Sequence, residues 1–180
     1  MDHPRKENLN YIKEKIRNIP DFPNPGIQFK DITPLLRDAK ALRLTANMLA
    51  QPFLDKKVDF VVGIESRGFL FGPVLAKALE AGFIPIRKPG KLPAETIEAS
   101  YELEYGKDSI EMHLDAFSKG DRIIIHDDLI ATGGSAAAAT TLINELQGTT
   151  VGYSFIIELE ELRGRDQLPD DALIDILISL

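Results

Sequence analysis

The chain has 180 residues, of which 44% are hydrophobic, and carries a formal net charge of −7. That is enough for one domain with a substantial core, and the acidic balance excludes DNA, RNA or an anionic membrane as the main partner, because those need clustered Lys and Arg. There is no cysteine, which removes disulfide and thiolate chemistry and fits a reducing compartment. Met1-Asp-His-Pro-Arg-Lys-Glu-Asn8 has no apolar signal core, and no segment approaches the roughly 20 apolar residues that cross a bilayer. The expectation is a soluble, cytoplasmic, single-domain protein spanning residues 1–180.

Leu9, Ile12, Ile16 and Ile19 recur at helical spacing and predict a short amphipathic helix. It stops at Pro20-Asp-Phe-Pro-Asn-Pro-Gly26, where three prolines and a glycine call for an extended, ordered turn. Ile27 to Asp31 follows, and Thr33-Pro34 reads as an N-cap with proline in the first helical turn. Ala39 to about Leu54, carrying Leu42, Leu49 and Phe53, predicts a longer packed helix.

Phe60-Val-Val-Gly-Ile64 is an apolar run of the kind a strand covered on both faces shows, and a helix from about Phe69 to Ala81 follows it. Gly82 to Ile86 is a second such run. Arg87-Lys-Pro-Gly-Lys91 then places three cations within five residues, a local reversal of sign that reads either as a solvated loop or as an anion clamp. Tyr101 to Tyr105 alternates, Gly106-Lys-Asp108 reads as a turn, and Ile110 to His113 alternates again. This predicts a polar β-hairpin with little apolar area, behaving as a lid over residues 94–113.

Arg122-Ile-Ile-Ile-His126 is the central strand, with the carboxylates Asp127 and Asp128 at its end. Ala131-Thr-Gly-Gly-Ser135 follows and opens an alanine-rich helix carrying Leu142, Ile143 and Leu146. A small-residue loop feeding a helix N-terminus presents unpaired N–H groups and a positive dipole end, so it can cradle a phosphate. Thr132 and Ser135 add hydroxyl donors, and the paired carboxylates suit the vicinal hydroxyls of a ribose. The P-loop Gly-Lys-Ser/Thr is absent, and no Gly-x-Gly-x-x-Gly follows a strand. Val151 to Ile157 and Leu173 to Ile178 are the last strands. Strands alternating with helices define an α/β fold with a mainly parallel central sheet, and ligands should gather at the strand carboxyl ends. His126 reads as a hydrogen-bonded histidine rather than a catalytic one, since no metal-ligand spacing accompanies it.

Ile-Ile-Ile-His-Asp-Asp-Leu-Ile-Ala-Thr-Gly-Gly-Ser closely resembles the phosphoribosyl pyrophosphate (PRPP) motif of the type I phosphoribosyltransferases, in the version that adenine-specific members carry. The resemblance runs from Pro20 to about Arg165 with several motifs in the family's order. It implies that Asp127 and Asp128 hold the ribose and that Ala131, Thr132, Gly133, Gly134 and Ser135 hold the 5′-phosphate. Glu65-Ser-Arg-Gly-Phe-Leu-Phe-Gly72 and Ile86-Arg-Lys-Pro-Gly-Lys-Leu-Pro93 resemble the family's pyrophosphate-contacting segments, implicating Ser66, Arg67, Arg87, Lys88 and Lys91. Glu65 reads as loop structure. The family commonly has Gly where this chain has Ala94, a substitution that would be unfavourable at positive φ.

By spacing alone Phe29 reads as core, and Glu104 and Tyr105 as exposed hairpin residues. The resemblance of residues 22–32 to the family's adenine-side hood (1–34) implies instead that Phe29 stacks on the purine, with main-chain groups near Gln28 and Lys30 reading its edge. Leu159, within Glu-Leu-x-x-Leu-x-Gly-Arg, would press on the opposite face, while Arg163 and Arg165 read as structural ion-pair partners. The resemblance of Ser-Tyr-x-Leu-Glu-Tyr-Gly implies that Glu104 is the catalytic proton acceptor or hydrogen-bond partner of the purine, with Tyr105 its companion over the reaction centre. The implied reaction joins adenine to PRPP, giving AMP and pyrophosphate, with Mg²⁺ held mainly by PRPP oxygens and water and with no direct protein ligand. A homodimer is the implied assembly. The rival readings are a transferase for hypoxanthine, guanine or orotate, and a PRPP-binding regulator without catalysis.

Overall fold

The computed structural model describes residues 3–103 and 106–180, and the chain divides between Met48 and Leu49 into two compact units. In the first unit helix α1 (His3–Lys13) ends sooner than the apolar spacing predicts. Ile16 lies in the connection that follows, and Ile19 leaves the helix because Arg17–Pro20 forms strand β1, paired antiparallel with β2 (Gln28–Asp31). A short isolated helix is marginal, and the cross-strand pairing supplies more. Arg17 Nη2 donates to Asp31 Oδ2 at 2.5 Å across that ribbon. The other Asp31 oxygen, Oδ1, accepts the N–H of Thr33 at 2.8 Å. Asp31 therefore does the capping work expected of Thr33 at helix α2 (Thr33–Arg37). Asp38 opens α3 (Ala39–Ala50) by accepting the N–H groups of Lys40 and Ala41, each at 3.0 Å. Its second oxygen takes the Tyr11 hydroxyl at 2.7 Å and Lys15 at 3.0 Å, so one carboxylate ties α1 to the start of α3. The α-helix stops short of the predicted Leu54: Gln51–Phe53 is a single 3₁₀ turn around Pro52, which has no N–H to continue the ladder.

The second unit runs β3 (Phe60–Ile64), α4 (Gly68–Ala78), β4 (Gly82–Ile86), β5 (Thr96–Leu103), β6 (Gly106–His113), β7 (Arg122–Ile130), α5 (Gly134–Glu145), β8 (Thr149–Glu158) and β9 (Ile174–Ser179). Five of these strands form one sheet in the order β4-β3-β7-β8-β9, with every pairing parallel. Side-chain alternation sorts the core. Val62, Ile64, Ile123, Ile125, Tyr153 and Phe155 face the α5 residues Ala139, Leu142 and Ile143 in one apolar cluster. On the other face α4 approaches so closely that a Cβ on Gly72 would lie 2.4 Å from the Phe83 ring.

Two expectations change here. Strand β7 continues past Ile125 to Ile130, pairing Leu129 with Ile157 and Ile130 with Glu158, so Asp127 and Asp128 sit inside a paired strand rather than beyond it. The β5–β6 hairpin pairs Tyr101 with Asp108 and Leu103 with Gly106, so residues 106–108 belong to a strand and not to the turn. Nor is that hairpin poor in apolar anchorage, since Ala99, Ile110 and Met112 belong to the main core cluster. Among the described residues the non-glycines at positive φ are Asp21, Lys57, Glu80, Gln147 and Arg163, so Ala94 is free of that strain.

Candidate functional site

The carboxyl ends of β3, β4, β7 and β8 carry Glu65-Ser66-Arg67, the Arg87–Lys91 loop, the 131–135 loop and Leu159. Parallel strands aim all four the same way, as open α/β sheets do at ligand sites.

The 131–135 loop is fixed by close packing. Gly133 has φ +84°, and a Cβ there would fall 2.2 Å from the Gly164 carbonyl oxygen. Gly164 in turn would meet the Ala131 oxygen at 2.3 Å. Only glycines let these two backbones touch. Gly133 precedes α5 directly, so the first-turn N–H groups from Gly134 onward lack intrahelical acceptors and face outward with the positive end of the helix dipole. They border a cavity of about 90 Å³ lined by Ile64, Asp127, Phe155 and residues 129–136. A larger cavity of about 470 Å³ shares Thr132 and Gly134 and runs beside Tyr101 and Gln167.

Asp127 is half-buried and Asp128 almost fully buried. Burial, followed by the neighbouring Asp128 charge, pushes the Asp127 carboxyl well above its usual range. Burial also raises Asp128, against the pull of Arg67, whose Nη1 lies 3.2 Å from Asp128 Oδ2. Adjacent carboxylates in a partly dry site share a proton until hydroxyl donors or a cation arrive. Arg67, predicted for pyrophosphate, and Asp128, predicted for ribose, are thus direct partners. A Cβ on Gly68 would sit 2.8 Å from the His126 oxygen and 3.2 Å from Asp127 Oδ1, so the Ser66–Gly68 loop lies against the carboxylates. Ser66 itself is exposed and follows a cis peptide bond.

The basic loop is the main departure from the sequence reading. Glu65, read as loop structure, is its hub: it accepts Arg87 Nη2 at 3.2 Å, Arg87 Nε at 3.3 Å, the Lys88 N–H at 2.9 Å and Lys91 Nζ at 2.9 Å. Burial works against its charge, but Lys91, the Lys88 amide and Arg87 hold its pKa down to about 2. Glu111 of β6 accepts the N–H groups of Lys91 and Leu92, each at 3.0 Å, and its backbone bridges Arg87 through bonds of 3.0 and 2.8 Å. Lys88 Nζ reaches the hairpin instead, donating to Asp108 and to the Tyr101 hydroxyl. Glu65 and Tyr101 lie inside sequence motifs that gave them no such role, Glu111 and Asp108 lie in none, and only the tertiary contacts reveal what all four hold.

Leu159 is half-buried directly after β8, its N–H donating to the Ile130 oxygen at 3.0 Å. Arg165 forks onto Glu158 at 2.5 and 2.8 Å, and Arg163 meets Asp166 at 2.6 Å, so both are ion-pair partners as read from the sequence. In the first unit Phe29 is half-buried on β2, edge-to-face with Phe22 at 5.1 Å. Gln28 accepts Asn18 Nδ2 at 2.7 Å and Lys30 donates to Asn18 Oδ1 at 2.9 Å. Glu104 and Tyr105 lie outside the described residues. His126 is fully buried, its Nδ1 3.4 Å from Ser154 Oγ, and burial lowers its pKa to about 4. It is neutral at ordinary pH.

Among the described residues no three His, Cys, Asp or Glu side chains gather as a metal cage. None of their helices is long and apolar enough to cross a membrane.

A parallel five-stranded sheet carries a glycine-packed helix start beyond paired carboxylates, an arrangement able to receive a phosphorylated sugar. A phosphoribosyl transferase domain matches residues 30–179. The fold is that of the type I phosphoribosyltransferases, and the chain belongs to this family. The adenine phosphoribosyltransferase of Halothermothrix orenii is 57% identical over 157 residues, covering 87% of this chain and 92% of that one. The crystal structure of the Rhodothermus marinus adenine phosphoribosyltransferase aligns with a TM-score of 0.94 at 51% identity, covering 97% of this chain and 99% of that one. The Saccharomyces cerevisiae enzyme, solved with adenine and an imino-altritol bisphosphate, gives 0.90 at 42% identity, covering 96% and 99%. Within the family, the chain belongs with the adenine phosphoribosyltransferases.

Proposed function

We propose that this chain transfers the 5-phosphoribosyl group of PRPP to N9 of adenine, giving AMP and pyrophosphate in purine salvage. The observation that carries this reading is the loop beyond β7: a glycine-packed helix start of uncharged residues directly after two carboxylates, bordering a small cavity. It matches a sugar that is phosphorylated at one end and hydroxylated in the middle.

In this reading the N–H groups at the start of α5, with Thr132 and Ser135, hold the 5′-phosphate. Asp127 and Asp128 accept the ribose hydroxyls and, once ionised, stabilise positive charge developing at the anomeric carbon. Ser66, Arg67, Arg87, Lys88 and Lys91 receive the departing pyrophosphate. The bond from the anomeric carbon to the diphosphate oxygen breaks, the bond to N9 forms from the opposite face, and the N9 proton leaves to Glu104, with Tyr105 beside it. Positioning carries much of the rate. Phe29 and Leu159 contact adenine, and main-chain groups near Gln28 and Lys30 prefer a 6-amino over a 6-oxo purine, because the wrong pattern leaves buried groups unpaired.

The donor set fits a Mg²⁺ ion that arrives on PRPP: carboxylate oxygens are at hand, with no three-sided cage among the described residues. When bound, the ion neutralises charge on the leaving diphosphate. The enzyme works as a homodimer in the cytoplasm, and light scattering on the purified chain checks the assembly.

The deciding experiment incubates purified protein with Mg²⁺, PRPP and adenine, hypoxanthine, guanine or orotate in separate tubes, with products resolved by chromatography. AMP from adenine alone is the expected result. Product from another base would overturn the adenine specificity, and no product from any base would overturn the transferase reading. Glu104→Ala should lower turnover by more than it weakens PRPP binding; unchanged turnover would remove Glu104 from the mechanism.

A further inference from the structure

Three of the cations assigned to pyrophosphate come from one loop, yet they are held in two different ways. Arg87 and Lys91 rest on Glu65, whose side chain is only 10% exposed and which is itself fixed by the Lys88 amide. Glu65 also grips Arg87 through two nitrogens, the geometry that fixes a guanidinium most firmly. The Lys88 ammonium is held by the lid hairpin instead. Its Nζ donates to Asp108 Oδ2 and, at 3.0 Å, to the Tyr101 hydroxyl, which donates to the same Asp108 oxygen at 3.1 Å. It also lies 5.5 Å from the centre of the Tyr101 ring. Tyr101 and Asp108 stand directly opposite each other on β5 and β6, so the two strands present them as one receptor for the ammonium.

The position of Tyr101 matters as much as its hydroxyl. A Cβ on Gly134 would lie 3.0 Å from Tyr101 Cδ2, so the ring stands against the first residue of α5, at the edge of the 5′-phosphate cradle. One tyrosine therefore touches the cradle on one side and the Lys88 ammonium on the other.

We propose that Asp108, with Tyr101, is a placeholder for pyrophosphate: it occupies the Lys88 ammonium and competes with the incoming diphosphate for it. The inference rests on the basic loop being the pyrophosphate site. Lys88 and Asp108 are each about one-third exposed, at 35% and 31%, and such a pair is weak enough for a multiply charged diphosphate to break. An ammonium has three donors and no fixed plane, so it can turn from the carboxylate to a phosphate oxygen without moving its backbone. Glu65 is the opposite case. It aligns Arg87 and Lys91 and remains in place, so its loss should weaken the ligand, whereas the loss of Asp108 should strengthen it.

The sign of the effect is the test. Isothermal titration of inorganic pyrophosphate with Mg²⁺ into the full-length protein would compare wild type, Asp108→Asn, Lys88→Gln and the double variant. Asp108→Asn should bind pyrophosphate about two- to fivefold more tightly, the range expected for releasing one exposed ion pair. Lys88→Gln should bind more weakly, and in its background Asp108→Asn should add nothing, because the two effects run through one contact. A merely structural Asp108 would show equal or weaker binding, or a gain that persists without Lys88, and either overturns the proposal. Should Asp108→Asn fail to fold, Tyr101→Phe keeps the ring on Gly134 and must shift affinity in the same direction by less; no shift or the opposite shift overturns the idea. Wild type that makes AMP and binds pyrophosphate, with Asp108→Asn no tighter, defeats this inference alone. Wild type that binds no pyrophosphate defeats the basic-loop reading along with it.

Discussion

The glycine-packed start of α5 and the basic loop, which the proposed reaction assigns to the two ends of one ligand, are built on opposite principles. The cradle is backbone: Gly133 and Gly164 bring two chains into contact, and the start of α5 supplies donors that need no partner until an anion arrives. The basic loop is side chain, and the described carboxylates of Glu65 and Asp108 already hold its cations. A cradle of that kind loses nothing on binding. A loop of that kind must exchange one set of ion pairs for another, which suits a group that arrives as substrate and must leave as product.

The largest effect should come from disturbing the cradle. Gly133→Ala puts a Cβ 2.2 Å from the Gly164 oxygen at φ +84°, so we expect about 2–4 kcal/mol of destabilisation and near-complete loss of PRPP binding. Thermal melting and a PRPP titration would read both; a well-folded, active variant would mean that the close packing is dispensable.

The basic loop should fail more gradually. Glu65→Gln keeps the shape but loses the charge that aligns Arg87 and Lys91, and should raise the KM for PRPP about tenfold, a cost near 1.4 kcal/mol. Steady-state kinetics with adenine saturating would show it as a KM effect larger than any change in kcat.

Acid should separate the two regions. His126 sits on the cradle-bearing strand with a pKa of about 4 against an ordinary 6.5. Below pH 6.5 the unfolded chain binds a proton that the folded chain refuses until about pH 4. The His126 contribution should therefore fall across that window, by about 3 kcal/mol at most, and then level off, while the raised carboxyls of Asp127 and Asp128 act with the opposite sign. Glu65 stays ionised throughout: its contribution is complete above about pH 4.5 and is lost only as pH falls toward 2. Urea midpoints at pH 4.5 and 7.5 should differ less in His126→Leu than in wild type. The smallest effect belongs to Arg163→Ala, which removes an exposed pair with Asp166 beside the cradle and should change stability by less than about 0.5 kcal/mol.

Much of this was readable in the chain itself. Predominantly apolar runs mark β3, β7 and β8 because a strand buried on both faces shows no regular polar alternation, and the Asp-Asp…Thr-Gly-Gly-Ser spacing marks the loop proposed as the cradle because its residues are neighbours in sequence. The failures share a cause. Ile19 had helical spacing but joined a ribbon held by Arg17 and Asp31, and residues 106–108 looked like a turn but paired with β5. In each case a partner distant in sequence outweighed a local preference.

The sequence by itself determined the α/β grammar, the glycine loop that opens α5 and the family, since each depends on residues a few positions apart. Only the tertiary structure decided that Glu65 anchors Arg87 and Lys91 across more than 20 positions, and that Asp108 and Tyr101 receive Lys88. A carboxylate's partner is set by where the fold carries it, and charge leaves no periodicity from which that destination can be read.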